Sequence, residues 1–428
     1  MRKGMLLIAS ALIALGTFEL AIRVFDLFAP ARAAIVEASL RGARPADAPA
    51  SDRQLHPFRG WSLRKKSKPQ SPFGHEPARP RNLFGFASTI DDYREVNEAD
   101  FAIGIFGGSV AVGVANWGGD EITNEVARAW PELAGRIRVL NFASPAYKQP
   151  QQLMVLSEMI LLGVSLDYVV NVDGLNEVAL GGWDARRGHH PLFPARWEMR
   201  LLVDMARGAP TDAFFEASAE IIRERRAAER IESHATGWLG RSQLIRAFAG
   251  ALASRHHRRA EALDAGLQLE LTQGADTGLM AAIPDECLGR EDGCRQLIAD
   301  IWARASGLMA AQASSIGAGY LHAFQPSQYV PGSKRLTDDE RQQAYDPGSV
   351  WMNSVQAEFP LLRERAAALS ARGVDFLDLT PSFAEVTDSI YVDNCCHMNS
   401  TGYGLLGERI GERIAARLAA TSAAAKAD

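Results

Sequence analysis

Short continuous apolar runs alternate with longer amphipathic stretches over most of the chain beyond residue 100. The runs Phe101–Phe106, Ile137–Phe142, Leu166–Val172, Tyr320–Phe324 and Val374–Leu379 predict strands. The stretches Glu121–Trp130, Pro150–Leu162, Ile301–Ser315 and Ser354–Arg372 predict helices, with Pro150 standing where a first turn tolerates it. A final amphipathic helix carries Leu405, Ile410, Ile414 and Leu418. Strands that are apolar throughout and separated by helices predict a parallel sheet covered on both faces. The expected fold is therefore α/β, a flavodoxin-like three-layer sandwich with a five-stranded parallel sheet.

Two regions depart from that rhythm. Gly181–Leu271 is long, charged and helical in propensity, with Ile221–Ile231 and Leu244–Leu263 as its amphipathic parts. It predicts a mostly helical insertion over 181–300, dividing a catalytic domain into 100–180 and 301–420. Trp183, His189, His190, Phe193 and Trp197 form either a pocket rim or the packing of that insertion on the core. His256-His257-Arg258-Arg259 reads as a solvated helix face. Residues 29–99 read as a stalk, rich in Ala, Arg and Pro, followed by an irregular lead-in whose aromatics and prolines show no period.

The N-terminus changes the picture. Arg2 and Lys3 precede an uncharged run from Gly4 to Phe18, and apolar residues continue to Phe28. The uncharged run is shorter than the ~20 residues a bilayer span needs and suits the apolar part of a signal sequence. We expect 1–28 to be an uncleaved signal anchor, a membrane helix with the remainder on the periplasmic or extracellular side. The alternatives are a secreted chain cleaved near Ala31-Arg32-Ala33 and a buried amphipathic helix. Cys287 and Cys294 frame a polar loop that a disulfide would close, in keeping with such a compartment. The net charge of −5 speaks against a nucleic-acid partner. At 428 residues the chain exceeds the usual single domain.

Candidate chemistry gathers where the strands end, because ligands of such sheets sit beyond the carboxyl ends of the strands. The first strand delivers Ser109 through Gly107-Gly108, where helix N–H groups suit an anion or oxyanion. The second is followed by Asn141 to Tyr147 and the third by Asp173-Gly174-Leu175-Asn176-Glu177. Asn176 and Glu177 also read as a helix cap. Beyond the fifth strand stands Asp393-Asn394-Cys395-Cys396-His397. A zinc site is not expected, since no second Cys/His cluster completes the ligand set. The α/β-hydrolase elbow is excluded because Ala111 stands where its last glycine belongs. No Walker pattern occurs.

These four segments, in this order, resemble the blocks of the SGNH (GDSL-type) hydrolase superfamily. The likeness covers 100–173 with its loop, and 301 to the C-terminal helix. It implies Ser109 as nucleophile and His397 as base, with no cofactor. It also implies an oxyanion hole of the Ser109 and Ala146 backbone N–H groups and the Asn176 amide. Two residues depart from the pattern: Ala146 stands in place of a glycine, and Asn394 stands three before His397 where an aspartate is usual. Asp393, four before, is the expected orienting acid, with a Ser–His dyad as the alternative. The implied function is a membrane-anchored serine esterase or acyl hydrolase acting on ester-bearing small molecules, glycans or lipids. A polysaccharide O-acetyltransferase would use the same site. An envelope scaffold or carbohydrate-binding protein on a degenerate fold, meeting a partner protein through 181–271, is the reading from another class.

Overall fold

The computed structural model describes residues 53–70, 79–186, 189–195, 212–235, 249, 251–263, 284–287 and 291–425. In chain order the strands are β1 (Arg53–His56), β2 (Gly60–Leu63), β3 (Lys66–Gln70), β4 (Arg79–Arg81), β5 (Phe101–Gly107), β6 (Ile137–Asn141), β7 (Tyr168–Asp173), β8 (Gly319–Phe324) and β9 (Phe376–Asp378). The helices are α1 (Ser109–Trp117), α2 (Gly119–Ala129), α3 (Gln151–Leu161), α4 (Leu175–Arg186), α5 (Asp212–Ala235), α6 (Glu291–Ser315), α7 (Asp338–Gln343), α8 (Val350–Ala371) and α9 (Ser400–Ala425).

Strands β5 to β9 form one parallel sheet in the order β6-β5-β7-β8-β9. Counted from β5, this is 2-1-3-4-5, the order of flavodoxin-like doubly wound sheets. Side-chain alternation along β5 explains its central place. Ile103 and Ile105 join one buried cluster with Val112, Val172, Trp302, Leu362 and Ile410. Ala102 and Phe106 face the other way, into a second cluster with Phe142, Leu156, Val169 and Met309. A strand apolar at every position fits only where helices cover both faces.

The described residues of this stretch, 53–70 and 79–81, are regular where the sequence read as irregular. They form two antiparallel hairpins, β1 with β2 and β3 with β4. Trp61, Phe86 and Tyr93 supply the second cluster with large fully buried rings. Arg59 Nε meets Glu158 on α3 at 2.6 Å.

The insertion also begins and ends differently. Helix α4 runs from Leu175 across the expected boundary at 181, and α6 starts at Glu291, before the expected end at 300. Nearly every residue of α4 is buried, so it belongs to the core. Between these helices, α5 meets helical residues 251–263 through ion pairs. His256 Nδ1 lies 2.5 Å from Glu224 Oε2, and Arg259 lies 2.9 Å from Glu220. Cys287 and Cys294 are joined in a disulfide. Among the described residues no helix is long and apolar enough to cross a membrane. The expected anchor at 1–28 and the rim residue Trp197 lie outside the described residues.

The segment that leads to His397 is held from below by a buried carboxylate. Glu340 Oε1 accepts the Ile390 and Tyr391 N–H groups at 2.8 and 3.0 Å. Its Oε2 accepts the Thr337 N–H at 2.8 Å and pairs with Lys334 at 3.1 Å. Burial raises the Glu340 pKa, but these donors outweigh it and leave the group below its ordinary 4.5. Its contribution to stability is therefore complete above about pH 4.5 and fades as pH falls. Glu340→Ala leaves Lys334 buried without its acid and should lower stability by about 3–5 kcal/mol. A thermal unfolding midpoint equal to wild type would refute this.

Candidate active site

Strand β5 ends at Gly107, whose φ of +145° belongs to the range that favours glycine. A Cβ on Gly107 would collide with the Val172 carbonyl oxygen, and one on Gly108 with the Asn176 side-chain amide. The two glycines thus let the chain turn tightly, with Gly108 capping α1 and Ser109 as its first residue. The Asn176 amide lies against that turn.

His397 reaches Ser109 from the other end of the sequence. Its Nε2 lies 2.8 Å from Ser109 Oγ, and its Nδ1 lies 2.5 Å from Asp393 Oδ2. Asp393 is fixed in turn by the backbone it heads. Its Oδ1 accepts the N–H groups of Cys395, Cys396 and His397 at 3.0, 3.1 and 3.2 Å. Burial raises the Asp393 pKa, but the His397 bond and charge and the backbone donors outweigh it, leaving about 2. An ionised Asp393 accepts a hydrogen bond from Nδ1–H, which leaves the Nε2 lone pair for the Ser109 hydroxyl. The residue three before His397 has no part in this line. Asn394 is exposed, and its carbonyl accepts the Tyr329 hydroxyl at 2.6 Å. Gln328 holds the Asp393 carbonyl at 3.0 Å. Sequence reasoning missed Gln328 and Tyr329, which follow β8 in a stretch without a local motif.

The second and third segments meet beside Ser109. Ala146 has φ +65°, a left-handed conformation that costs an alanine about 1–2 kcal/mol. Its neighbour Tyr147 is pinned by a hydroxyl bond to the Trp61 carbonyl at 2.8 Å. The Asn176 amide donates to the Tyr147 carbonyl at 2.8 Å, so the two segments touch directly.

No protein-family model matches the sequence, and no curated protein matches it. Solved structures align weakly. A GDSL-like lipase from Bacteroides thetaiotaomicron aligns over 74% of this chain and 88% of its own, at 10% identity and TM-score 0.32. An acetyl xylan esterase aligns over 72% and 98%, at 12% identity and TM-score 0.33. An acetyl-xylooligosaccharide esterase from a Geobacillus aligns over 75% and 96%, at 9% identity and TM-score 0.31.

Beneath the site lies a buried polar layer. Glu177 joins the two segments beside Ser109. Its Oε1 accepts the Gln149 N–H at 2.9 Å and the Gln152 amide at 3.1 Å, and its Oε2 accepts the Gly174 N–H at 2.9 Å. Burial and the Asp173 charge push this carboxyl up to about 8. Asp173 accepts bonds from Trp302, His322 and Asn171 at 2.6 to 2.7 Å. His322 Nδ1 then meets Ser306 Oγ at 2.8 Å. This is a second serine–histidine–aspartate line, but Ser306 and His322 are 0% exposed, so no substrate reaches it. Lys148 is also buried, with its ammonium donating to the carbonyls of Pro191 and Phe193. It thereby ties the segment of His189, His190 and Phe193, read as either a pocket rim or packing on the core, to the loop that carries Ala146. Cys395, Cys396 and His397 offer three ligand atoms within 4.8 Å of one another, yet both imidazole nitrogens already bond Asp393 and Ser109.

Glu177→Ala would leave three buried donors without their acceptor, at about 1–3 kcal/mol each where no water replaces it. Because the folded pKa is raised, the stability of the neutral carboxyl is complete below about pH 4.5 and is lost as pH rises through about 8. The wild-type thermal midpoint should therefore slope downward over that range and the variant's should not. Parallel slopes would refute the assignment.

Proposed function

We propose that this chain is a serine esterase or acyl hydrolase of SGNH type, cleaving ester bonds through an acyl-enzyme. The observation that carries the reading is the hydrogen-bonded line from Ser109 Oγ through His397 to Asp393, beginning at the first residue of α1. Ser109 attacks the ester carbonyl while His397 Nε2 takes its proton. Asp393 holds the imidazole in register and stabilises the imidazolium. The oxyanion is met by the Ser109 and Ala146 N–H groups and the Asn176 amide, with the positive end of α1 behind them. His397 returns the proton to the leaving alcohol, and a water deprotonated by His397 releases the acid and restores Ser109. The chemistry needs neither a metal nor an organic cofactor.

The domain works outside the cytoplasm in this reading, held there by 1–28. The Cys287–Cys294 disulfide supports that compartment, since such bonds persist in oxidising surroundings.

A fluorophosphonate probe and turnover of a simple aryl ester test the proposal. Ser109→Ala should abolish both. Asp393→Asn should lower turnover by about 10⁴, and Asn176→Ala by about 10²–10³. A folded wild-type protein that takes up no probe overturns the reading. Ala146→Gly keeps the N–H, and relief of about 1–2 kcal/mol of strain offsets about 0.5–1 kcal/mol of added backbone freedom. Its turnover should stay close to wild type. A loss of the size expected for a missing oxyanion donor would show that the methyl group itself is required.

A further inference from the structure

Cys395 and Cys396 are unused by the chemistry above, yet they sit inside its most constrained turn. The Val392 N–H donates to the His397 carbonyl at 3.0 Å, closing residues 392–397 into a loop. Within it the two sulfurs approach to 2.6 Å as free thiols. Cys395 is half-buried and Cys396 fully buried. Burial also pushes the Cys396 thiol well above its ordinary range, so Cys395 is the sulfur that meets a reagent from solvent. The peptide joining the two residues carries the Cys396 N–H, one of the three that hold Asp393 Oδ1.

We propose that Cys395 and Cys396 form a thiol–disulfide modification site that controls how Asp393 is held. The Cys395 thiolate attacks a low-molecular-weight disulfide and releases one thiol. Cys396 then loses its proton, attacks the Cys395 sulfur and releases the second thiol. Two protein thiols are oxidised to one disulfide, and the reagent disulfide is reduced to two thiols. Neighbouring Cα atoms stand about 3.8 Å apart, less than the ~4.4–6.8 Å an unstrained disulfide spans. The new bond closes a small ring through the intervening peptide, and the backbone there must turn. The Cys396 N–H is what it moves, so Asp393 loses a donor and His397 its fixed partner. A strained disulfide of this kind is readily reduced again, which suits a reversible control. The compartment supplies the chemistry, because Cys287 and Cys294 are already oxidised in the same chain.

The effect on turnover rests on the esterase reading, whereas the modification itself does not. Full-length protein is equilibrated in glutathione buffers from fully reduced to fully oxidised, quenched with an alkylating reagent and weighed intact. The reduced end should carry two alkyl groups on the 395–396 peptide. The oxidised end should carry none there and weigh two hydrogens less than the unmodified reduced chain. Turnover should fall at least about 10-fold along the series, within the ~10⁴ limit set by losing the aspartate outright, and return with reductant. The downfield proton signal of His397 Nδ1–H should shift in parallel, whether or not an ester is turned over. Cys395→Ser, whatever its starting rate, should keep that rate across the series. The proposal is overturned by thiols that still alkylate at the oxidised end, or by a glutathione adduct that stays on Cys395. A disulfide that forms without moving the Nδ1–H signal overturns it as well. A reduced protein with no esterase activity counts against the functional reading alone, since alkylation and the proton signal still decide this one.

Discussion

Everything at the candidate site depends on how closely backbone can approach backbone at the end of β5. Gly107 lies against the Val172 carbonyl and Gly108 against the Asn176 amide, and neither contact leaves room for a Cβ. That approach lets the central strand stop, turn and start α1 within two residues, so that Ser109 stands at the helix terminus. It also brings the loop after β7 within bonding distance of the loop after β6, through Asn176 and Tyr147. A side chain at either glycine would push these segments apart, and the donors around Ser109 would no longer share one small volume.

A layer this polar is stable beneath the site because its buried carboxyl groups are hydrogen-bonded. An unpaired buried carboxylate is costly, and Asp173, Glu177 and Glu340 each accept several hydrogen bonds. The bonds run largely between separate segments, so satisfying these carboxyl groups also fixes the loops. Ala146 shows the result, since its left-handed backbone persists only because Tyr147, Lys148 and Gln149 on its C-terminal side are each tied to another element.

Much of the fold was legible because its signal is local. A strand apolar at every position between helices points to a doubly covered parallel sheet, and β5 to β9 lie within a few residues of the expected runs. The hairpins of 53–81 left no such trace. They are three to five residues long and carry Pro69 and Pro80, so no alternation has room to show. The second half of helix α4 fell within the expected insertion, because the helix is buried nearly all round and has no polar face to reveal its period. At the site, residue types and order pointed to Ser109, Ala146, Asn176 and His397. The choice between Asp393 and Asn394 was not written there. It is made by three N–H groups of residues 395–397, a property of the folded turn. Glu177 looked like a helix cap, and its acceptor role between two loops exists only once both loops are in place.

The two serine–histidine–aspartate lines show why residue identity and distance alone do not define a reactive site. Ser306–His322–Asp173 has contacts of 2.8 and 2.7 Å, against 2.8 and 2.5 Å in Ser109–His397–Asp393. The buried line is enclosed, with Trp302 bonded to Asp173 at 2.6 Å and the Tyr320 hydroxyl 3.0 Å from Ser306 Oγ. Its side chains tie β7, β8 and α6 together, so the line serves as a brace. The other begins at a helix terminus, with His397 and Asp393 partly exposed. Residue types and contact distances are thus alike in the two lines, and burial is what differs: Ser306 and His322 are fully enclosed, whereas His397 and Asp393 are partly exposed.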